Sequence, residues 1–583
     1  MPPPSAASRS GDVVITNAEI ARIFREIGDM LEILGEVVYK SVAYRRVADA
    51  VERHPRDVAA LFAAGTPPKI PGAGPALTTK LAELASTGTL EYYERLRAQV
   101  PDGLLEMLQV PGVGPRTVRL LYDQLGIDSL EALRAAAADG QLRSVKGLSA
   151  RTEENILAGI ARLKRNTGRL LLHEADRLIG GLLERLREVR GVVRIEPAGS
   201  LRRRCATIGD LDLLAATTDP ATLIAALDGL PDVERVLSAG TDKSSIVLAA
   251  GPQVDLMVCP PGAWGTHLVH FTGSKEHNVR LRGMALDIGL SLSEKGFKVI
   301  DSGELITEDS EEAVYARLGL PWIPPELRED TGEVQAALRG ELPQVLTTED
   351  VCGDTHVHSD WTDGVDSMEA MARAARDAGR QWMVLTDHSP SLGITRGLAP
   401  ERVEEQRAEI ARLNAELAPF RILHGTEMEI RADGSLDYPD ELLARFDVVV
   451  ASVHTARGQS SEQLTRRTLA AIANPHVDVI AHPTGRIVNR RDPIALDWPR
   501  VFAAAAETGT ALEINGSPRL DLDDALARAA ARAGVRLTLA SDAHRTEELN
   551  QLAYAVSVAR RAWLTREQVL GTRGADELLE LLR

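Results

Sequence analysis

Apolar residues fall three and four apart in Ala18-Glu-Ile-Ala-Arg-Ile-Phe-Arg-Glu-Ile-Gly-Asp-Met-Leu-Glu-Ile-Leu34, the spacing of an amphipathic helix, and residues 14–66 read as helical throughout. The pattern changes near residue 168. Leu170 to Arg190 reads as a further helix, followed by a strand near Val192–Pro197. Asp210 and Asp212 alternate with Leu211 and Leu213, so on a strand both carboxylates face one way. Asp242-Lys-Ser-Ser-Ile-Val-Leu and Val254-Asp-Leu-Met-Val predict two later strands. Beyond residue 350 a strand-like run ends in polar residues seven times: at His356–His358, Asp387–His388, Glu427, His454, His482, Asn515 and Asp542–His544. Ala-rich helical segments separate most of them. Continuous apolar strands alternating with helices predict a parallel sheet closed into a barrel, with a site at the strand C-terminal ends.

Composition changes this picture little. The chain has 583 residues, 44% hydrophobic and 26% charged, enough for three to five soluble globular domains. Cys205, Cys259 and Cys352 are scattered, as in a reducing cytoplasm without structural disulfides. The start, MPPPSAASRSGD, holds no apolar signal core, and no run approaches a membrane span, so the expected location is cytoplasmic. The net charge is −17: residues 347–583 carry −10 and the remainder −7. Any contact with DNA therefore falls to local arginine clusters and backbone amides.

Three groups of residues carry candidate chemistry. The first is Gly199-Ser-Leu-Arg-Arg-Arg-Cys-Ala-Thr-Ile-Gly-Asp-Leu-Asp212. Paired carboxylates suit hard cations such as Mg²⁺ or Mn²⁺, and two such ions can clamp the attacking and leaving oxygens of a phosphoryl transfer. Gly199 and Ser200 predict a small turn whose backbone approaches a phosphate, and Asp255 adds a third carboxylate. The second group is Ile70-Pro-Gly72-Ala-Gly74-Pro and Val110-Pro-Gly112-Val-Gly114-Pro, with a weaker copy at Val145-Lys-Gly-Leu-Ser. This is the helix–hairpin–helix signal, in which free amides of the turn and of the next helix meet a nucleic-acid phosphate whatever the sequence. The third is the barrel rim, where His356, His358, Asp363, His388, Glu427, His454, His482, Asp542 and His544 converge. Nitrogen plus carboxylate ligands suit Zn²⁺, Mn²⁺ or Fe²⁺, and nine candidates could hold two or three ions.

The first 345 residues resemble the family X DNA polymerases, of which DNA polymerase beta is the familiar member. Asp-Thr-His-Val-His-Ser, Thr-Asp-His-Ser and Ser-Asp-Ala-His resemble the PHP (polymerase and histidinol phosphatase) domain. The two together are similar to the bacterial and archaeal polymerases X. The resemblance implies a multidomain α+β and α/β chain. Its parts would be a lyase-like helical domain (1–95), a second helix–hairpin–helix subdomain (96–167), a nucleotidyltransferase palm (168–262) and a thumb (263–343). A linker (344–350) would lead to a distorted (β/α)7 PHP barrel (351–583).

It also implies roles. Asp210 and Asp212 would bind both polymerase metals, and Asp255 the catalytic metal and the primer 3′-hydroxyl. Ser200 and Arg203 would hold the β- and γ-phosphates of the nucleotide, with Arg202 and Arg204 left as solvated charges. In His270-Phe-Thr-Gly-Ser274 the family has Tyr where His270 stands; Phe271 would pack on the nucleotide sugar and Gly273–Ser274 would bend the chain. Asn278 and Arg282, four apart on a helix, would check base-pair shape in the minor groove. Lys40 and Tyr44 would meet a 5′-phosphate, and Lys80 falls at the Schiff-base position of the family's lyase. Asp354 and Asp387 would orient ligand histidines. The implied activity is gap filling on gapped or nicked duplex DNA with a deoxynucleotide, by a monomer, together with a Mn²⁺- or Zn²⁺-dependent 3′→5′ exonuclease. The rival readings are a nuclease whose polymerase half serves only as a DNA clamp, and a DNA-binding scaffold.

Overall fold

The computed structural model of the chain describes residues 15–582 apart from 16, 37, 53, 55–57, 98, 109, 111–112, 146–147, 155, 158–159, 161–168, 392–394, 490 and 492. It divides into two compact units, Met1–Gly168 with Lys275–Thr307, and Arg169–Ser274 with Glu308–Arg583.

The first unit is mainly helical. Helix Asn17–Ile33 packs against Val38–Glu52 and Pro115–Leu125 through a core that includes Phe24, Ile27, Met30, Val47, Leu81, Leu84 and Leu121. Gly74 and Gly114 are extended residues immediately before helices Pro75–Thr87 and Pro115–Leu125. Proline at the first helical position has no N–H to leave unpaired and a φ already set for the helix. Gly112 and part of the third hairpin copy lie outside the described residues. The segment 275–307 supplies helix Lys275–Asp287 and a small antiparallel sheet of Leu290–Ser293, Gly296–Val299 and Leu305–Ile306.

The second unit joins a five-stranded sheet to a barrel. The sheet runs in the order Val192–Pro197, Leu211–Thr217, Gln253–Cys259, Lys243–Leu248, Val233–Ala239, and only its second and third strands are parallel. Strand alternation explains its two faces. Leu211, Leu213, Val254 and Leu256 pack on helices Leu172–Arg187 and Pro220–Asp228, whereas Leu214, Ala216, Met257 and Cys259 pack on helix Trp264–Thr272. Asp212 and Asp255, in phase with Leu214 and Met257, share this second face.

The barrel has seven parallel strands, adjacent in chain order: Gly353–Val357, Trp382–Leu385, Arg421–Glu429, Val448–Ser452, Val479–Ile480, Ala511–Asn515 and Leu537–Ala540. First and last meet through a parallel bridge between Val357 and Ala543, with the Asp542 amide donating to the His356 carbonyl at 3.0 Å. The (β/α)7 expectation therefore holds, as a nearly closed barrel. Helices between the strands start at Ser367, Ser460, Asp497 and Asp523, whose side chains cap the first turn. Where the strands begin, Trp382 lies over Gly353 so closely that a Cβ there would stand 2.1 Å from the indole. Leu578, on the last helix Ala575–Leu582, packs with Trp382 and Val384 at this end. That leaves the polar strand ends at the opposite mouth.

Candidate active and metal sites

On the sheet, Asp212 and Asp255 are register partners on neighbouring parallel strands, and Asp210 stands just before the first of them. Gly199 begins a single helical turn, Gly199–Arg202, with φ +57°; a Cβ on it would meet Asp212 Oδ2 at 1.9 Å. Only glycine allows this approach. The turn is tied down by the Ala198 amide, which donates to the Asp212 carbonyl at 2.8 Å. Burial, and then the charges of Asp210 and Asp255, push the Asp212 carboxyl up to about 7. Burial acts on Asp255 in the same sense, but hydrogen bonds from Lys243 Nζ (2.7 Å), Gln253 Nε2 (2.9 Å) and Ser245 outweigh it and keep this carboxyl below its ordinary value. Three crowded carboxylates, one driven toward protonation by the others, fit divalent cations, which relieve that repulsion.

The arginines behind the turn differ from expectation. Arg202 and Arg204 are not solvated charges. Arg202 grips Glu311 through two hydrogen bonds (2.7 and 2.9 Å) and donates to Thr272 Oγ1, while Arg204 grips Asp176 in the same way (2.6 and 2.8 Å). Both side chains are largely buried, where a guanidinium requires a carboxylate. Glu311 also pairs with fully buried Arg328; despite burial, the charge of Arg328 and hydrogen bonds from Arg202 hold Glu311 far below the carboxylate range. Arg203 pairs with Glu329 and donates to the Thr272 carbonyl, and Ser200 is half-buried on the turn.

His270 and Phe271 close helix Trp264–Thr272 with their rings edge-on at 4.9 Å, and Gly273–Ser274 bends the chain beyond them. Asn278 is buried and Arg282 half-buried on helix Lys275–Asp287. In the first unit the Lys80 ammonium lies over the Tyr92 ring, 4.7 Å from its centre. Lys40 is exposed and paired with Glu36, and Tyr44 is buried against Phe24 and Tyr92. Gly72 and Gly74 are exposed on the first hairpin and Gly114 on the second.

The barrel mouth gathers all nine rim residues. Three groups have donor atoms within 4.8 Å of one another: His358, Asp363, His388 and His544; His356, His358 and Glu427; and Glu427, His454 and His482. Asp542 approaches the second group, with Oδ1 3.5 Å from His358 Nε2 and 3.8 Å from His356 Nε2. His356 Nε2 and His358 Nε2 face each other at 3.0 Å, with Glu427 Oε2 at 3.3 and 3.5 Å from them. Donor atoms around an ion with bonds of about 2.1 Å stand about 3.0–3.4 Å apart in octahedral or tetrahedral order, so these spacings fit a coordination sphere. Glu427 reaches a second group through Oε1, 3.3 Å from His454 Nε2 and 2.9 Å from His482 Nε2, and is placed to bridge ions. Burial disfavours an anion at Glu427 and at Asp542, but neighbouring imidazoles reverse this and hold both well below the usual range. His358 is pushed down to about 3 by burial and then by His544. His544 is raised to about 9 because Asp363 and Asp542 outweigh its burial. Such a donor set is consistent with a divalent-metal site.

Two residues that aim the ligands were not foreseen. Glu513 Oε2 lies 2.8 Å from His356 Nδ1, and Glu429 Oε2 lies 3.0 Å from His454 Nδ1, which directs each Nε2 into the site. The signal was available for Glu429: it follows Glu427 by two on one strand, hence on the same side. Asp354 and Asp387, expected in this role, brace backbone and hydroxyl groups instead. Asp354 accepts from the amides of His356 and Ser541, and Asp387 from Ser359, Thr362 and Gln406. Both are buried.

Known proteins resemble the chain in several parts. Residues 15–90 match a helix-hairpin-helix domain, 104–162 a SAM-like helix-hairpin-helix tandem, 267–329 the DNA polymerase beta thumb and 354–517 the PHP domain. The chain is 35% identical over 568 residues to the DNA polymerase/3′-5′ exonuclease PolX of Bacillus subtilis (strain 168), covering 97% of this chain and 99% of that one. Probable phosphatases of Thermoanaerobacter sp. (strain X514) and Syntrophotalea carbinolica are 30% and 31% identical over 38% and 39% of this chain, and 89% and 95% of theirs. The chain belongs to the family X DNA polymerases that carry helix–hairpin–helix domains, a thumb and a PHP domain.

Proposed function

We propose that the protein fills short gaps in duplex DNA during repair and trims 3′-ends in its PHP barrel as a 3′→5′ exonuclease. The observation that carries the first activity is the direct register of Asp212 with Asp255 beside the Gly199 turn. Asp210 and Asp212 would hold two Mg²⁺ or Mn²⁺ ions, which would supply positive charge for the phosphoryl transfer. Asp255 orients the primer 3′-hydroxyl, and Ser200 and Arg203 fix the β- and γ-phosphates so that pyrophosphate departs in line. Phe271 packs on the nucleotide sugar, and Asn278 and Arg282 test the base pair from the minor groove. The hairpin glycines bring DNA backbone to the first unit.

In the barrel, His356, His358, Glu427 and Asp542 would hold one metal ion, and Asp363, His388 and His544, and His454 and His482 with Glu427, would hold others. Bound Mn²⁺ or Zn²⁺ would supply Lewis-acid chemistry for phosphoester hydrolysis. The Bacillus relative is named as a 3′-5′ exonuclease, which supports phosphodiester cleavage. A second reading, hydrolysis of a terminal phosphate monoester, is favoured by the probable phosphatases that match the barrel alone.

The test uses a labelled primer on a one-nucleotide gapped duplex bearing a 5′-phosphate, with Mn²⁺ and the matching nucleotide. Extension by one nucleotide is expected, and shortening when the nucleotide is omitted. Shortening alone under both conditions would favour the nuclease with a DNA clamp. On a second labelled primer that ends in a 3′-phosphate, loss of that phosphate without loss of a nucleotide would favour the monoesterase.

A further inference from the structure

Helix Leu552–Arg561 follows the last barrel strand, and its final residue reaches the turn that carries Ser200 and Arg203. Arg561 Nη1 donates to the Arg203 carbonyl and to Glu329 Oε1, both at 2.8 Å. Its Nε and Nη2 hold Asp524 Oδ2 at 2.9 and 2.8 Å. The same oxygen of Glu329 accepts from Arg203 Nε at 3.0 Å. Arg203 Nη1 is used by the Thr272 carbonyl at 2.6 Å, and Nη2 makes no hydrogen bond to a described residue. Two guanidinium groups thus share one carboxylate oxygen. The side chains of Arg203 and Arg561 are only 14% and 12% exposed, so solvent screens this triad little.

The arrangement has a direct electrostatic consequence. Glu329 facing Arg203 alone would form a closed ion pair, and its full charge would compete with a phosphate for that arginine. Arg561 takes part of that charge and also fixes the backbone at Arg203. We propose that Arg561, from the PHP half, is a positioning residue of the polymerase site, keeping Arg203 on the turn with Nη2 turned to the nucleotide's β- and γ-phosphates. The inference rests on the reading of Arg203 as a triphosphate ligand. It makes the barrel a working part of the polymerase and not only a second enzyme on the same chain.

The experiment measures gap filling by the full-length protein and separates KM for the nucleotide from kcat, with 3′-end hydrolysis and bound metal as controls. For Arg561→Ala, KM is expected to rise about tenfold while kcat stays within about threefold; hydrolysis and bound metal do not change. Arg561→Lys keeps the charge with fewer donors and is expected to raise KM about threefold; it carries the same test if the alanine variant does not fold. The double variant Arg561→Ala/Glu329→Gln is expected to return KM to within about threefold of wild type, because the competing charge is gone. The inference is overturned if neither single variant changes KM. It is equally overturned if hydrolysis falls together with polymerisation and the Glu329→Gln change restores neither, which is plain structural damage. Arg203→Ala, run in parallel, separates the two levels. If it raises KM and the Arg561 variants do not, this inference alone fails; if it leaves KM unchanged, the triphosphate role of Arg203 fails and this inference with it.

Discussion

Asp212 and Asp255 lie in register on adjacent parallel strands, and the Asp212 carboxylate closes against the Cα of Gly199. Strand spacing of about 4.8 Å then sets the two carboxylates at a separation that ions can bridge.

Asp255→Asn should abolish nucleotide addition, by about a thousandfold or more, because the group proposed to orient the attacking hydroxyl loses its charge. Hydrolysis in the barrel should persist. Single-turnover extension on gapped DNA and primer shortening without nucleotide, measured on the same preparation, give the two numbers.

Gly199→Ala should cost polymerisation at least about tenfold with no effect on hydrolysis. The added methyl has nowhere to go but into Asp212, and φ +57° is strained for alanine. A crystal structure of the variant should show the Asp212 side chain displaced.

Asp212 makes stability depend on pH. Its carboxyl is raised from 3.8 to about 7 on folding, so the folded state binds a proton more tightly than the unfolded state. Its favourable contribution is fully present below about pH 3.8 and is lost as pH rises through about 7. Asp212→Asn should therefore raise the melting temperature at pH 8, measured in chelator, and leave it unchanged at pH 3.5. Because an ion must displace that proton, half-saturation of polymerisation by Mg²⁺ should rise about tenfold per unit as pH falls below 7.

Glu513→Gln should weaken metal binding at the barrel by about 10–100-fold, since His356 loses the carboxylate that holds its ring. His356→Ala should lose hydrolysis altogether. Elemental analysis after dialysis and competition with a chromogenic chelator measure both, and gap filling in added Mg²⁺ should survive in each.

The features legible in the sequence were those with a short period or a local motif. The seven strand ends of the barrel, Asp212 on its apolar strand and the first Pro-Gly-x-Gly hairpin each rest on a pattern within ten residues, and each appears in the fold, whereas Asp210 stands just before the strand that carries Asp212. What could not be read depends on partners far along the chain. Arg202 and Arg204 look like free charges beside Arg203 until Glu311 and Asp176 arrive from elsewhere. Glu513 was visible as part of a strand, but nothing local says that it meets His356, 157 residues away. Asp354 and Asp387 sit two and one residues from ligands, which suggested contact with the rings. In the fold Asp354 is taken by the amides of His356 and Ser541, and Asp387 by Ser359, Thr362 and Gln406.

The seam between the first and last barrel strands also bears on how the chain comes off the ribosome. Thr355 finds its partner Leu539 only after 184 further residues. Until then strand Gly353–Val357 is an open edge with half of its amides and carbonyls unpaired. His356 rides on that strand and His358 directly follows it, whereas Asp542 and His544 lie just past the one that completes the ring. Any nascent chain stopped short of residue 542 therefore carries an incomplete ligand set and an exposed edge together. A metal bound at this rim would act as a clasp, fastening the oldest strand of the barrel to the youngest.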